Sequence, residues 1–390
     1  MKGLTNSRLA INRKVTTFAR SKLVLSITYM WLIIFTLLPV LGLAYIGMHI
    51  WYLLPVPATF RIFVICSLVA SFGMIFLNFN RTIDNLPMWL ARLSYDIGSS
   101  SIFILLYLAI IFMVLDIAKL AHIVPRQILH QNVYTSIIVI ITLFVVFLLG
   151  NINYHDKKRV ELTLKTEKTL DKPLKILMAS DLHLGYHNPR KELQRWVDIF
   201  NSENPDIVLI AGDIIDMSIR PLKDENMAQE LRRINAPVYA CLGNHEYYSH
   251  EPAAKKFIEE SGIHLLIDSV ANADCLTIIG RDDRTNNHRQ RLSKIMENVE
   301  RSNYTILLDH QPYHLEEAEQ ENIDFQFSGH THYGQVWPIS WITNLVYECA
   351  FGEHQRGNTR YYISSGLGIW GGKFRIGTQS EYIIATLSAK

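Results

Sequence analysis

Five short apolar runs in the C-terminal part of the chain each lead into a side chain that can bind a cation or move a proton. ILMAS runs into Asp181 and His183, IVLIAG into Asp213, VYACLG into Asn244 and His245, ILLD into His310, and FQFSG into His330 and His332. Asp181, His183, Asp213, Asn244, His310, His330 and His332 form a set of carboxylate, amide and imidazole donors without sulfur. Such a set suits Mn, Fe or Zn rather than a thiolate-bound structural zinc. Seven donors are too many for one tetrahedral ion. Shared between two divalent metal ions with one bridging carboxylate they suffice, and such ion pairs, roughly 3.5 to 4 Å apart, suit phosphoryl substrates. A lone HxH is usually an ordinary strand pair, so the argument rests on the recurrence of the pattern.

For these side chains to converge, the runs must be strands whose carboxyl ends share one crevice, the place where open α/β sheets bind ligands. Strands are expected at residues 174–179, 207–211, 238–242, 305–308, 325–327 and 361–364, with helices near 189–201, 225–233, 252–260 and 289–299. Residues 160–172 read as a first strand and a polar connector. Alternation of this kind indicates an α/β protein. Glycines directly before Asp213, Asn244 and His330 allow the tight turns that present a side chain straight after a strand.

The remainder of the chain is apolar. Its 390 residues carry a net charge of +2, which does not give the uniformly basic surface of a general nucleic-acid binder, so no nucleic-acid partner is expected. The apolar excess lies before about residue 150, separating a transmembrane domain, residues 1–156, from a domain at residues 157–390 that holds the donors. Residues 23–54 contain no Asp, Glu, Lys or Arg, and a bilayer core of roughly 30 Å needs about 20 apolar residues in a helix. With the three runs that follow, four spans are expected, at about residues 23–50, 60–78, 97–115 and 135–151. A cleaved signal peptide has an apolar core of only about 7 to 15 residues, and buried soluble helices would show polar faces.

Orientation follows from the basic residues. Eleven, including Arg81, Arg92, Lys157, Lys158 and Arg159, fall on the side of the termini, against Arg61, Lys119 and Arg126 on the other. This places the C-terminal domain in the cytoplasm and the chain as a multi-pass protein of the inner cell membrane. No ionisable pair stands mid-span, so a transport path has no support. Cys66, Cys241, Cys275 and Cys349 lack paired spacing, which argues against disulfides and fits a reducing compartment.

The five blocks form an ordered series: DxH at Asp181 to His183, GDxxD at Gly212 to Asp216, GNHE at Gly243 to Glu246, the lone His310, and GHTH at Gly329 to His332. This series resembles that of the calcineurin-like metallophosphoesterases, over about residues 160–390. The resemblance implies an α/β four-layer sandwich, two mixed β-sheets flanked by helices, joined here to an N-terminal four-helix transmembrane region. It implies that Asp181, His183 and His332 hold one metal, that Asn244, His310 and His330 hold the second, and that Asp213 bridges them. His245 would lie beside the leaving group, oriented by Asp216. The stretch SSGLGIWGGKFRIG, residues 364–377, is similar to the bacterial membrane-associated branch, which includes enzymes acting on UDP-diacylglucosamine in lipid A synthesis. That branch often has Gly after GHTH, where this chain has Tyr333.

Blander readings apply to other residues. Asp216 could simply cap the turn after Asp213, Glu246 could equally satisfy a backbone N–H or touch substrate, and Asp309 reads as structural. His310 is preferred to His314 because it directly follows its apolar run. Arg281, Arg284, Lys373 and Arg375 could meet a phosphate, with solvated surface the preferred reading for any one of them, and His187, His250, His264 and His288 receive no role.

The expectation is a membrane-anchored enzyme with two divalent ions that hydrolyses a phosphoester or phosphoanhydride bond. Water acidified by the ions attacks phosphorus in line, and His245 protonates the departing oxygen. Its partners are the lipid bilayer and a phosphorylated substrate, with a lipid-linked or nucleotide-linked phosphate at the bilayer surface set against a soluble phosphodiester or a phosphoprotein. A membrane sensor that uses the domain only for binding is the reading from a different class.

Overall fold

The computed structural model describes residues 37–390 with the exception of residue 298. Among the described residues four apolar helices come first: α1 (Leu38–Leu53), α2 (Ala58–Phe79), α3 (Met88–Leu120) and α4 (Val133–His155). Pro39 stands in the first turn of α1, where its missing N–H has no partner to lose, and Leu54 leaves the helix in an extended conformation ahead of Pro55. Helices α2, α3 and α4, of 22, 33 and 23 residues, are long and apolar enough to cross a membrane. Helix α1 has 16 residues, and the span expected at 23–50 falls partly outside the described residues. Three crossing-capable helices are thus found among the described residues where four spans were expected.

The chain divides into two compact units. Of the first, Met1–Ala70 and Ile104–Leu143, the described part holds α1, most of α2, the second half of α3 and the start of α4. Its interior includes Ile46, Ile50, Leu108, Phe112 and Val139. Near the helix ends, Asp116 of α3 accepts a hydrogen bond from Tyr45 (2.9 Å) and meets His49 (3.0 Å) and Lys119 (2.7 Å). No spacing along the sequence signals this cross-helix cluster.

The second unit joins Ser71–Phe103 to Phe144–Lys390. Its strands are β1 (Lys158–Thr166), β2 (Leu174–Ala179), β3 (Ile207–Ala211), β4 (Val238–Cys241), β5 (His264–Leu265), β6 (Ser269–Ala273), β7 (Leu276–Gly280), β8 (Tyr304–Leu308), β9 (Phe325–Ser328), β10 (Gly352–Arg356), β11 (Thr359–Ile363) and β12 (Glu381–Ala389). Its further helices are α5 (Arg190–Glu203), α6 (Arg220–Asp224), α7 (Met227–Leu231), α8 (Asn244–Tyr248), α9 (Glu251–Glu260), α10 (Leu292–Met296), α11 (Leu315–Gln320) and α12 (Ile339–Val346).

Two mixed six-stranded sheets result. One runs β1-β12-β2-β3-β4-β5, with β2 to β5 parallel and β12 antiparallel to β2. The other runs β10-β11-β9-β8-β7-β6, parallel except at its two edge pairs. Alternation along each strand sorts side chains to opposite faces. Ile176 and Met178 of β2 join Leu209 of β3 in a core shared with Ile278, Ile306 and Phe327 of the second sheet. Leu177, Val208 and Ile210 face outward, beneath Leu193, Trp196, Val197 and Phe200 of α5, whose spacing makes one helical stripe. Ile279, Leu307 and Ile363 are covered by Leu292, Met296 and Leu315 of α10 and α11. Helices therefore flank both sheets. Ala179 is in register with Ile210, and Ala211 with Cys241, so β2, β3 and β4 end in step at one edge.

The turn between α2 and α3 is tied into this unit by polar groups. Asp84 accepts hydrogen bonds from Tyr186 (2.6 Å) and Ser218 (2.9 Å), Arg220 donates to the carbonyls of Asp84 and Leu86 (2.6 and 2.7 Å), and Arg92 pairs with Glu225. Ile83, Ala91, Tyr95 and Tyr186 form a small buried cluster beneath them.

Candidate metal centre

Each expected donor stands just beyond a strand end, and all seven are brought together. The backbone is specialised for this: Asp181, His183, Asp213, His330 and His332 all have positive φ, between 45° and 71°. Non-glycine residues there cost roughly 1–3 kcal/mol each and persist only where their surroundings fix them, most often at functional sites. The turns brace one another, His183 N–H donating to the Asp213 carbonyl (2.9 Å) and Asp181 N–H to that of Gly212 (3.1 Å).

The preceding glycines serve two purposes. Gly212 has φ +71° and makes the turn that sequence spacing suggested. Gly243, with φ −112°, instead makes room, since a Cβ on it would lie 2.2 Å from Asp213 Oδ1, and one on Gly329 would lie 2.3 Å from Asp181 Oδ2. The carboxylates occupy the volume that side chains would need.

Donor atoms gather in three overlapping groups, each within 4.8 Å: Asp181, His183 and His332; His183, Asp213 and His245; Asp213, His310 and His330. Asp213 Oδ2 is 3.6 Å from His183 Nε2 and 3.0 Å from His310 Nε2, so one oxygen serves both ends of the cluster. Asn244 Oδ1 lies 3.2 Å from the same His310 nitrogen. His310 is held from behind by the Ala211 carbonyl, 2.8 Å from Nδ1, which stitches the second sheet to the first.

These residues fit divalent cations. His183 Nδ1 faces Asp216 Oδ1 at 3.2 Å, which assigns its proton there and leaves a lone pair on Nε2. That Nε2 lies 3.0 Å from His332 Nε2, with Asp181 Oδ1 at 3.9 and 3.4 Å from the two nitrogens. Two imidazole nitrogens and a carboxylate converging so closely need a cation or a shared proton between them. His332 Nδ1 is buried and has no hydrogen-bond partner among the described residues.

Electrostatics match the geometry. Burial alone would raise the Asp216 carboxyl, but hydrogen bonds from His183 and His245 hold it far below the usual carboxylate range. Burial opposes the charge on His245, yet Asp213 and Asp216 push its pKa up to about 9. His330 goes the other way, burial and the His310 charge lowering it to about 3 and favouring the neutral, ligating form.

His245 has Nδ1 3.0 Å from the Asp216 carbonyl and 3.4 Å from its carboxylate, and its N–H donates to Asp213 Oδ1 at 2.9 Å. Asp216 therefore does more than cap a turn. Glu246 accepts from the backbone N–H groups of Asp213, Ile215 and Gly243, at 3.1, 3.0 and 2.7 Å, the structural one of the two parts open to it. His314 pairs with Glu316 on the surface, away from the donor groups.

Two readings are corrected. Arg281 is not solvated surface but buried against Asp309 (3.1 Å) and Glu317. Arg375 is likewise buried, donating to the carbonyls of His332 (2.7 Å), Ser365 and Gly368, so it clamps the 365–368 turn to the last donor. Both owe their burial to partners distant in sequence.

One neighbour was not foreseen. Tyr95, in the first turns of α3, donates a 2.6 Å hydrogen bond to Asp216 Oδ2, and both groups are buried. Its ring stacks on His187 at 4.9 Å. Nothing in its local sequence signals this.

Comparison with known proteins agrees with the site. Residues 174–334 match the family model described as calcineurin-like phosphoesterase. An uncharacterized metallophosphoesterase of Campylobacter jejuni is 31% identical over 229 residues, covering 57% of this chain and 61% of that protein. The chain thus spans about three-fifths of that relative, as it does of one from Helicobacter pylori. A transmembrane protein with metallophosphoesterase domain from Danio rerio is 27% identical over 324 residues, 77% of this chain and 74% of its own length. An uncharacterized metallophosphoesterase of Aquifex aeolicus is 32% identical over 266 residues, 64% of this chain and 99% of the Aquifex protein. With a relative matched over nearly its whole length and every motif side chain in one crevice, the chain belongs to the calcineurin-like phosphoesterase family.

Proposed function

We infer that this chain is a membrane-anchored hydrolase of phosphoester or phosphoanhydride bonds, working with two divalent cations at the crevice described above. The observation that carries the reading is Asp213 Oδ2, placed between His183 and His310 and so common to two donor groups. Asp181, His183 and His332 would hold one cation and Asn244, His310 and His330 the other, with Asp213 between. When bound, such a pair acidifies water and takes up charge on phosphoryl oxygens.

The chain's own residues do the remainder. Asp216 fixes the tautomer of His183 by accepting from Nδ1, so that Nε2 stays available as a donor. It also holds His245 on the Nδ1 side, leaving Nε2 to carry a proton to the departing oxygen. Arg284 lies over the Tyr313 ring at 4.2 Å and keeps a buried Nη1 that has no hydrogen-bond partner among the described residues. Tyr313 pairs with Tyr347 (4.8 Å), beside His330 (6.3 Å), so Arg284 is the cation best placed to meet a substrate phosphate.

Residues 157–390 carry this chemistry and residues 1–156 the anchoring, on the cytoplasmic side of the inner membrane. The basic residues support that side, and with them the count of four spans. The test uses the full chain in detergent with Mn or Zn added. His245→Ala should keep its metal content and lose about 10²- to 10⁴-fold in turnover of an alkyl phosphodiester. It should lose far less on a nitrophenyl diester, whose leaving group needs no proton. Equal losses on both would end the proton-donor role, and a wild-type chain that binds no metal and turns over neither diester would leave a binding module.

A further inference from the structure

The fourteen residues from Gly334 to Tyr347 contain no Asp, Glu, Lys or Arg and directly follow the last two donors, His330 and His332. Their helix, α12, turns its apolar side outward: Trp341 is 62% exposed, Ile342 58%, Leu345 87% and Val346 56%, with Trp337 at 39% just before it. Elsewhere among the described residues of this domain the large apolar side chains lie mostly beneath helices or between sheets, Tyr248 at 48% being an exposed exception. A contiguous apolar face of this kind marks an interaction surface.

Its place in the fold indicates what covers it. Trp337 N–H donates to the Ile376 carbonyl at 2.7 Å, and Ile376 packs on Gly150 of α4, where a Cβ would come within 2.8 Å. The neighbouring Arg375 N–H donates to the Gly150 carbonyl at 2.9 Å, and Asn153 of α4 donates to the Arg375 and Thr378 carbonyls. Phe374 reaches further along the same helix, its ring 4.7 Å from that of Phe147. A loop of the catalytic domain is thus wedged against a membrane-crossing helix, whose Phe144, Leu148, Leu149 and Ile152 are exposed. The start of α12 is one backbone hydrogen bond away from that loop. A charge-free helix with tryptophans on its apolar side, joined through that loop to a helix with exposed apolar side chains, has the character of an interfacial segment.

We propose that α12 and Trp337 seat in the head-group region of the bilayer beside the crevice, so that the centre meets phosphate carried on a lipid. The lipid-substrate clause rests on the hydrolase reading above; the seating of α12 does not.

Two arms test this with the full chain in vesicles of phosphatidylcholine and phosphatidylglycerol. In the first, Trp341 emission is obtained as the difference between the wild type and Trp341→Phe. It should be quenched by phosphatidylcholine brominated near the glycerol end of its chains and shielded from aqueous iodide. Quenching by iodide alone overturns the seating. Emission that follows the protein-to-lipid ratio assigns the face to a second copy of the chain and also overturns it. In the second arm, Trp341→Ser with Leu345→Ser should lose about tenfold in kcat/KM on CDP-diacylglycerol or phosphatidic acid in the vesicles. Hydrolysis of soluble bis(nitrophenyl) phosphate should be unchanged. Equal loss on both substrate types, or no loss on either, refutes the lipid-substrate clause. A wild-type chain inert on every substrate refutes the hydrolase reading instead, and the quenching result then still decides the seating.

Discussion

Replacing Tyr95 by Phe removes one hydroxyl and keeps the ring that stacks on His187. The lost bond is 2.6 Å long and ends on the Asp216 carboxylate, with both side chains buried away from any water that would replace it. Hydrogen bonds to charged groups contribute about 1.5–3 kcal/mol, and more is lost when a buried charge is left short of a donor. The other groups facing that carboxylate are His183 at 3.2 Å and His245 at 3.4 Å on Oδ1, and His187 at 4.0 Å on Oδ2. Asp216 should therefore rotate toward the imidazoles and drag His183 off its position against His332. Loss of an outer partner of a metal-binding His typically costs about 10- to 100-fold in metal affinity or activity, and that range is the expectation here. Chelator competition for bound Mn or Zn on the full chain, alongside nitrophenyl diester turnover, reads both quantities. The control is the same change on an Asp216→Asn background, where most of the effect should vanish because the two residues act as one unit. A folded Tyr95→Phe protein with metal affinity and turnover within about twofold of wild type, well under the factor of ten that 1.4 kcal/mol gives, would refute the reasoning. So would an undiminished loss on the Asp216→Asn background.

Gly243→Ala should reduce metal content, because the new Cβ meets the Asp213 backbone N at 2.5 Å as well as its carboxylate, and backbone cannot swing aside; the overpacking cost is about 1–3 kcal/mol, and Gly42→Ala, with nothing within 4 Å among the described residues, should leave metal content unchanged. Acid should unfold the chain partly through Glu192. Burial would raise this carboxyl, but the hydrogen bond from His155 and the charges of Lys373 and Lys157 lower its pKa to about 2 from an ordinary 4.5. Its stabilisation is therefore present above about 4.5 and lost as pH falls toward 2; thermal melts in detergent should show Glu192→Gln losing less on acidification than wild type, and parallel losses would contradict this. Finally, a membrane-impermeant reagent should label a cysteine placed at Thr82 from the same side as a C-terminal reporter, because two crossing-capable helices, α3 and α4, lie between them; labelling from opposite sides would mean that one of the two does not cross.

The gathering of the seven side chains was legible because each follows an apolar run of the kind that makes a doubly covered strand, so spacing alone announced both the strand and its end. Strands β2 and β3 begin and end where those runs do. The edge strands were not legible. Residues 269–273 and 352–356 are short and only partly buried, and they gain their order from neighbours rather than from pattern. Helix α8 was missed because Asn244 and His245 look like loop donors, yet they form its first turn, with Glu246 accepting from the Gly243 N–H. Arg281 and Arg375 looked exposed because Arg and Lys are seldom buried without partners; Asp309 is 28 residues from Arg281, and the groups that satisfy Arg375 are mostly backbone carbonyls. Tyr95 was unreadable for the same reason, being 121 residues from Asp216 and set in a helix that composition marks simply as apolar.

Asp216 explains why the start of α3 and the crevice cannot be treated as separable parts. Its Oδ1 faces both His183 and His245, its Oδ2 is taken by Tyr95, its N–H donates to the Leu184 carbonyl and its own carbonyl faces His245. Every polar group of this one residue is therefore committed, and one of its partners lies on α3. The same start of α3 is fixed by Arg92 to Glu225, and the turn before it by Asp84 to Tyr186 and Ser218. A shift of that helix end would pass through a short buried hydrogen bond to a carboxylate that positions two imidazoles, with no flexible link to absorb it. The chemistry proposed for residues 157–390 thus depends on a hydroxyl supplied from before residue 156.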